Sequence, residues 1–323
     1  MATVTLKNIG GIDLTVRDRE FVVLTGPAGC GSAPIVRLIA GLSEVVQGEI
    51  FFDERRLNDL PPKDRDVALL SHDYTPYPGM SVYENLAIAL EQRKFASTEI
   101  RKRVTSVAET LGFQNELAAS PGSLSTEQQR LVGLARVMVR QARVCLFDEP
   151  LANLGRIGAS RGRAAIAELR QRASATILYA TSDPTEALAL DARTVVMDAG
   201  VVQQDAAAQA IFDEPENVFV AKFFGDLPMN LVYGTLKQER DSVTFTETGD
   251  GTIGIRLPAS RFPSAKELAG QSVILGFRAD AVEIVASPEE GTRSGAGFRA
   301  LVERSEPKGS ETELYLRTGA HEL

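Results

Sequence analysis

The sequence predicts an α/β protein: a mostly parallel sheet covered on both faces, followed by a smaller β-rich domain. Three observations predict it. Short apolar runs recur at Phe21–Leu24, Val67–Leu70, Val144–Phe147, Ile177–Tyr179 and Thr194–Met197, each the length of a buried strand. Helical spacing fills the stretches between them. After Pro228 the texture changes to alternating residues and glycine turns.

Taken in order, the first run ends in a glycine-rich turn, Gly26–Gly31. Ile35, Leu38, Ile39 and Leu42 follow at the i, i+3, i+4, i+7 spacing of one buried helix face. From about 85 to 137 the pattern is helical. There Ser97 is placed as an N-cap, Ile100, Val104, Val107 and Leu111 form an apolar stripe, and Gly112 suits the C′ position. Beyond residue 228, Val243–Phe245 and Ile253–Ile255 flank Gly249-Asp-Gly251 and read as a hairpin, with further strands at Val273–Phe277 and Leu314–Leu316. The expected organisation is one domain over 1–227 with a helical subdomain at about 86–137, then a β-rich domain over 228–323.

Composition narrows the function classes. The 323 residues are 44% hydrophobic and 24% charged, which excludes a disordered or fibrous chain. The formal net charge of −8 argues against a nucleic-acid partner, and Arg156, Arg161, Arg163, Arg170 and Arg172 read as one solvated helix face. No apolar run is long enough to cross a bilayer, and the opening MATVTLKN does not read as a secretion signal. Cys30 and Cys145 are too few for a disulfide framework, which fits a reducing compartment. Two histidines, His72 and His321, leave little room for a histidine metal site or a Ser-His-Asp triad. The expectation is a soluble, intracellular protein.

Two segments carry chemistry. Gly26-Pro-Ala-Gly-Cys-Gly31 lies between a strand and a helix, where glycines let backbone amides turn toward phosphate oxygens at the helix N-terminus. A phosphate loop continues with Lys and then Ser or Thr; here Ser32, Ala33 and Pro34 follow, and no lysine lies between Lys7 and Lys63. By itself the loop reads either as a structural turn or as a weakened cradle. The second segment, Val144–Phe147, ends in Asp148 and Glu149. Such a pair can hold Mg²⁺ and polarise a water, or it can be an acidic strand end.

The order of segments resembles the ATP-binding subunits of ABC importers that serve sugars and glycerol phosphate. The glycine loop is followed by Tyr77-Pro-Gly-Met-Ser-Val-Tyr-Glu-Asn85, then Leu124-Ser-Thr-Glu-Gln128 ahead of Ala135-Arg136, then Asp148-Glu-Pro-Leu-Ala-Asn-Leu154. Thr181-Ser-Asp183, Met197-Asp-Ala-Gly200 and the stretch Phe219–Asn230 complete it. The resemblance implies a RecA-like P-loop core with an inserted helical subdomain and a C-terminal OB-like regulatory domain. It also implies ATP and Mg as ligands, permease subunits as partners through Tyr77–Asn85, a second ATP-binding subunit, a solute-binding protein indirectly, and a peripheral place on the cytoplasmic face of the membrane. Within it, Gly26, Gly29, Gly31 and the amides of Ser32 and Ala33 would hold phosphate. Ser125 and Gln128 are the surviving signature residues, Asp148 is the metal residue and Glu149 the general base.

The functional positions nonetheless differ one by one. The loop lysine, serine and threonine fall on Ser32, Ala33 and Pro34; the glutamine facing the permease falls on His72. The signature glycines fall on Thr126 and Glu127, the aspartate after the Asp148-Glu-Pro segment on Gly155, and the switch histidine on Ser182. Asn8–Phe21 is too short for the family's adenine-stacking segment, leaving Phe21 as the only aromatic there. Glu127 is expected to set a carboxylate where a glycine amide would meet a γ-phosphate. The Tyr77–Asn85 segment suits either a groove for a permease helix or the ordinary packing of a helix start. Two functions follow: an importer ATP-binding subunit with weak or absent hydrolysis, or an inactive pseudo-ATPase acting as a scaffold or regulatory subunit on the permease.

Overall fold

The computed structural model describes residues 2–172, 175–239, 242–258, 260, 263–283, 298–308 and 311–323. The chain divides into two compact units, residues 1–226 and 227–323.

In the first unit the chain opens with β1 (Val4–Ile9), β2 (Ile12–Val16), β3 (Phe21–Thr25) and helix α1 (Ser32–Ala40), then β4 (Glu49–Phe52), β5 (Arg55–Arg56) and β6 (Val67–Leu70). Helices α2 (Val82–Glu91), α3 (Ser97–Leu111) and α4 (Thr126–Arg140) form the helical insertion. The chain returns through β7 (Val144–Asp148), α5 (Arg156–Arg172), β8 (Thr176–Thr181), α6 (Pro184–Ala189), β9 (Arg193–Asp198) and β10 (Val201–Ala207), and closes with α7 (Ala208–Asp213) and α8 (Val218–Phe223).

Among the described residues, six strands form the central sheet in the order β10-β9-β3-β8-β7-β6. All neighbours are parallel except the edge pair β9–β10. Each predicted apolar run is one of these strands, and the alternation within β3 explains why it is apolar throughout. Phe21 and Val23 face a core shared with α2, α3, α4 and α5, while Val22 and Leu24 face a second core with α1 and the sheet β2-β1-β4-β5. One face is therefore covered by helices, the other by a helix and an antiparallel sheet.

Two local expectations are corrected. Ser97 is the first helical residue of α3 rather than its cap; Ala96 holds the extended cap position and offers no side-chain acceptor. Leu42 does not continue the buried stripe. Helix α1 stops at Ala40, Gly41 turns into the left-handed region at φ 78°, and Leu42 is left 50% exposed. Gly112 does end α3 in the left-handed conformation, at φ 77°. The predicted solvated arginine face lies on α5: Arg156, Arg161 and Arg170 are exposed, Arg163 is half-buried, and the Arg172 side chain lies outside the described residues.

In the second unit β11 (Asn230–Gln238), β12 (Ser242–Glu247), β13 (Gly254–Pro258) and β14 (Ser272–Phe277) form an antiparallel sheet in the order β13-β12-β11-β14. The predicted hairpin is β12–β13, with Phe245 opposite Ile255. A two-stranded ribbon of β15 (Leu301–Lys308) and β16 (Glu311–Arg317) follows. Its small apolar core centres on Val232, Leu236, Val243, Phe245 and Ile253. At its edge the buried Glu247 accepts from the Ile253 amide at 2.9 Å, from Thr318 Oγ1, and lies 2.6 Å from His321 Nδ1. His321 Nε2 in turn accepts from the Tyr233 amide at 3.2 Å, which assigns the ring proton to Nδ1.

Candidate functional site

The loop after β3 ends at the N-terminus of α1 and carries no basic side chain. Gly26 is required because a Cβ there would run into the Met197 carbonyl, and Gly31 turns at φ 111° as the N-cap of α1. Bonds from Cys30 N to Pro27 O (2.9 Å) and from Gly200 N to Cys30 O (2.8 Å) fasten the loop. Ser32 and Ala33 hold the first two helical positions, where amides point free of the helix ladder and favour an anion. Pro34, in the same turn, has no amide to add, while Ile35 N already bonds Gly31 O. The Ser32 hydroxyl takes a contact of 3.4 Å from Cys30 Sγ. The only basic side chain of α1 is Arg37, in its last turn.

Asp148 ends β7 inside the sheet, buried, and Glu149 follows in a left-handed conformation at φ 49°. This kink turns the Glu149 carboxylate toward the end of β8. Its Oε1 accepts from the Ser182 amide at 2.7 Å, and its Oε2 lies 3.5 Å from Thr181 Oγ1. Behind it Glu186, buried on α6, accepts from Thr181 Oγ1 at 2.6 Å and from the Tyr179 hydroxyl. Burial pushes the Glu186 carboxyl above its ordinary range against the pull of those two donors.

Among the described residues no group of three or more His, Cys, Asp or Glu side chains is placed to hold a metal. Asp148 offers one hard oxygen donor, and the position that would add a hydroxyl is Ala33. Among the described residues Asp148 would therefore need further oxygen donors, such as those of a phosphate ligand, to complete a Mg²⁺ site.

The surviving signature residues have a local occupation. Ser125 and Gln128 form a capping box on α4: Ser125 Oγ accepts from Gln128 N at 3.2 Å, and Gln128 Oε1 accepts from Ser125 N at 3.0 Å. The carboxylate of Glu127 folds back inside its own chain, onto the start of α5. There a Cβ on Gly158 would overlap its Oε1, and one on Gly155 would stand 3.4 Å from its Oε2. Within the single chain the half-buried Glu127 carboxylate therefore lies against α5. Thr126 is exposed. Phe21 is likewise withdrawn: it is 5% exposed, packs edge-on against Tyr179 with centroids 6.0 Å apart, and offers no face for an adenine.

His72 and Ser182 are exposed, and each contributes a backbone group: the His72 carbonyl accepts from Arg130, and the Ser182 amide donates to Glu149. In the Tyr77–Asn85 segment the buried Asn85 side chain holds the turn. It accepts from Tyr77 N at 2.7 Å and donates to the carbonyls of Tyr77, Met80 and Ser81. Ser81 and Glu84 cap α2 with a second capping box. Tyr77 itself is 46% exposed beneath the Arg136 guanidinium, 4.7 Å from the ring centroid. It lines a groove of about 570 Å³ together with Leu42, Ile88, Arg93, Arg136 and Arg140.

Sequence reasoning missed two residues at this site. Arg130 and Glu186 each sit in amphipathic helices, where an Arg or Glu ordinarily faces water, so nothing in the pattern marked them. Arg130 directs its guanidinium at carbonyls of the turns that carry His72 and Glu149.

Comparison with known proteins places the chain among close relatives. The family described as "ABC transporter" matches residues 9–152. An uncharacterised ABC transporter ATP-binding protein of Bacillus subtilis, YurJ, is 38% identical over 96% of this chain and 84% of its own length. The sn-glycerol-3-phosphate import ATP-binding protein UgpC of Bordetella avium is 37% identical over 100% of this chain and 88% of its own. Among solved structures, the dimeric post-hydrolysis ATP-binding cassette MJ0796 with ADP and Pi aligns at TM-score 0.58. It is 21% identical and covers 64% of this chain and 98% of the other, a likeness of fold.

Proposed function

The chain belongs to the ABC transporter ATP-binding family, and from that premise we propose that it is the ATP-binding subunit of an importer for sugars or related solutes such as glycerol phosphate, with little or no hydrolysis of its own. The observation that carries the reading is the loop after β3. It keeps the glycines and the free first-turn amides of a phosphate cradle while Ser32 stands where a cation is needed.

In this reading Gly26, Gly29 and Gly31 shape the cradle, and the amides of Ser32 and Ala33 face the phosphates of ATP. Asp148 is the residue that would hold Mg²⁺, and Glu149 the base that would polarise water. Removing one preorganised donor typically costs about 10²–10³ in rate, and here the lysine, the first-turn hydroxyl, both signature glycines and the switch histidine are all replaced. The partners are a second ATP-binding subunit, the same or different, and the permease, with the solute-binding protein engaged through it. An amphipathic permease helix would fit the groove at Tyr77, whose apolar lip includes the exposed Leu42. The chain then lies peripherally on the cytoplasmic face of the membrane. Among the described residues no helix is long and apolar enough to span it.

A second reading, an inactive scaffold or regulatory subunit on the permease, is favoured by one specific observation. Ser125 and Gln128 are both engaged in capping α4, so their survival needs no catalytic explanation.

Calorimetric titration with Mg-ATP tests the main reading, comparing the native chain with a variant carrying Ser32→Lys, Ala33→Ser and Pro34→Thr. The native chain should bind no tighter than about millimolar, and the variant should gain several kcal/mol. Micromolar binding by the native chain would overturn the assignment of weakness to the loop. No gain in the variant would overturn the cradle itself.

A further inference from the structure

The guanidinium of Arg130 has five N–H donors, and each has its own backbone carbonyl. Nε donates to Pro150 O at 3.1 Å. One terminal nitrogen donates to Ser71 O at 2.8 Å and His72 O at 2.9 Å; the other donates to Asp148 O at 3.1 Å and to Glu149 O. The acceptors lie in two turns, one following β6 and one following β7. Those strands are parallel neighbours that pair Leu70 with Phe147, so the turns leave the sheet side by side. Two of the carbonyls are shared with the turns' own bonds: Ser71 O also accepts from Tyr74 N, and Glu149 O from Ala152 N, both at 3.2 Å.

The arrangement is a rigid planar fork, with no carboxylate among its acceptors. Desolvation pulls the Arg130 pKa down and the nearby Asp148 and Glu149 charges oppose it, so the group stays a cation at any ordinary pH.

We propose that Arg130 is a positioning residue that locks the His72 turn, the Asp148–Glu149 turn and α4 into one body, so that displacement of the first turn is passed to the second. Its functional meaning rests on reading Glu149 as the base and the His72 segment as the side facing the permease. A lysine cannot replace it, because three donors on one nitrogen cannot reach carbonyls spread across both turns. Spatial intermediacy alone would not establish coupling; two turns sharing one set of donors supply a physical link that can be cut.

The test is a double-perturbation cycle read by amide hydrogen exchange on the full chain without nucleotide. Ser71→Gly with His72→Gly loosens the first turn, and the Ala152 amide reports on the second. In the native background the glycine pair should speed exchange at Ala152 by about fivefold or more. In an Arg130→Met background that amide should already exchange fast, and the glycine pair should add less than about twofold. Arg130→Lys should behave as Arg130→Met does, and it carries the same cycle if the methionine variant does not fold. Equal acceleration in both backgrounds, or none in the native one, would overturn the proposal. Since no nucleotide is added, a chain that fails to bind ATP would sink the reading of Glu149 and leave this cycle standing.

Discussion

The carboxylate of Glu127 lies where a side chain on Gly158 would have to begin. One residue opens α4 and the other lies in the first turn of α5, so each restricts the other across the join between helical insertion and core. Gly158→Ala in an otherwise open helix would stabilise by about 0.5–1 kcal/mol. Here that gain should shrink towards zero, because the Glu127 carboxylate must first swing aside. Glu127→Gly should restore most of that gain in the double variant, read by denaturant unfolding. If Gly158→Ala alone stabilises by the full amount, Glu127 moves aside freely and the two residues are not coupled.

The capping boxes make a second prediction. Ser125→Ala removes the acceptor for Gln128 N and should cost about 1 kcal/mol of stability. Mg-ATP affinity should not change, because the hydroxyl is occupied within its own helix. A large loss of affinity without loss of stability would return Ser125 to a nucleotide-facing role.

Acid should loosen the C-terminal unit through Glu247. Burial alone would raise its carboxyl, but bonds from Thr318, His321 and the Ile253 amide outweigh burial and hold it below its ordinary 4.5. A folded-state value below the unfolded one adds stability that is full above about 4.5 and is lost as pH falls through the depressed value. Glu247→Gln should therefore flatten the acid limb of stability in a denaturant series run below pH 5. A limb as steep as the native one would mean other carboxylates set it.

Cys145 lies inside β7, and burial pushes its thiol up to about 12. It should resist iodoacetamide at pH 8 in the folded chain and react once the chain is unfolded. Mass spectrometry of the labelled peptide reads both states, and rapid labelling of the native chain would mean β7 opens locally.

Much of the fold was legible because buried parallel strands must be apolar on both faces. Phe21–Thr25 and Val144–Asp148 are buried at every position, and their short length and flanking turns distinguish such runs from buried helix segments. Boundaries were less legible. Leu42 keeps the helical spacing, yet Gly41 ends α1 before it, and a period cannot see a backbone that has turned left-handed.

Of the site, sequence alone determined which groups exist: a glycine-rich turn between strand and helix, Asp148 and Glu149 at a strand end, and no lysine between Lys7 and Lys63. Only the tertiary structure decided what those groups face. It turned Glu127 onto α5, committed Ser125 and Gln128 to a cap, buried Phe21 and gave Arg130 five carbonyls, one of them 59 residues away. The reason is physical. Residue type and spacing set local geometry, whereas a side chain's partners depend on which distant turns the sheet brings to the same edge.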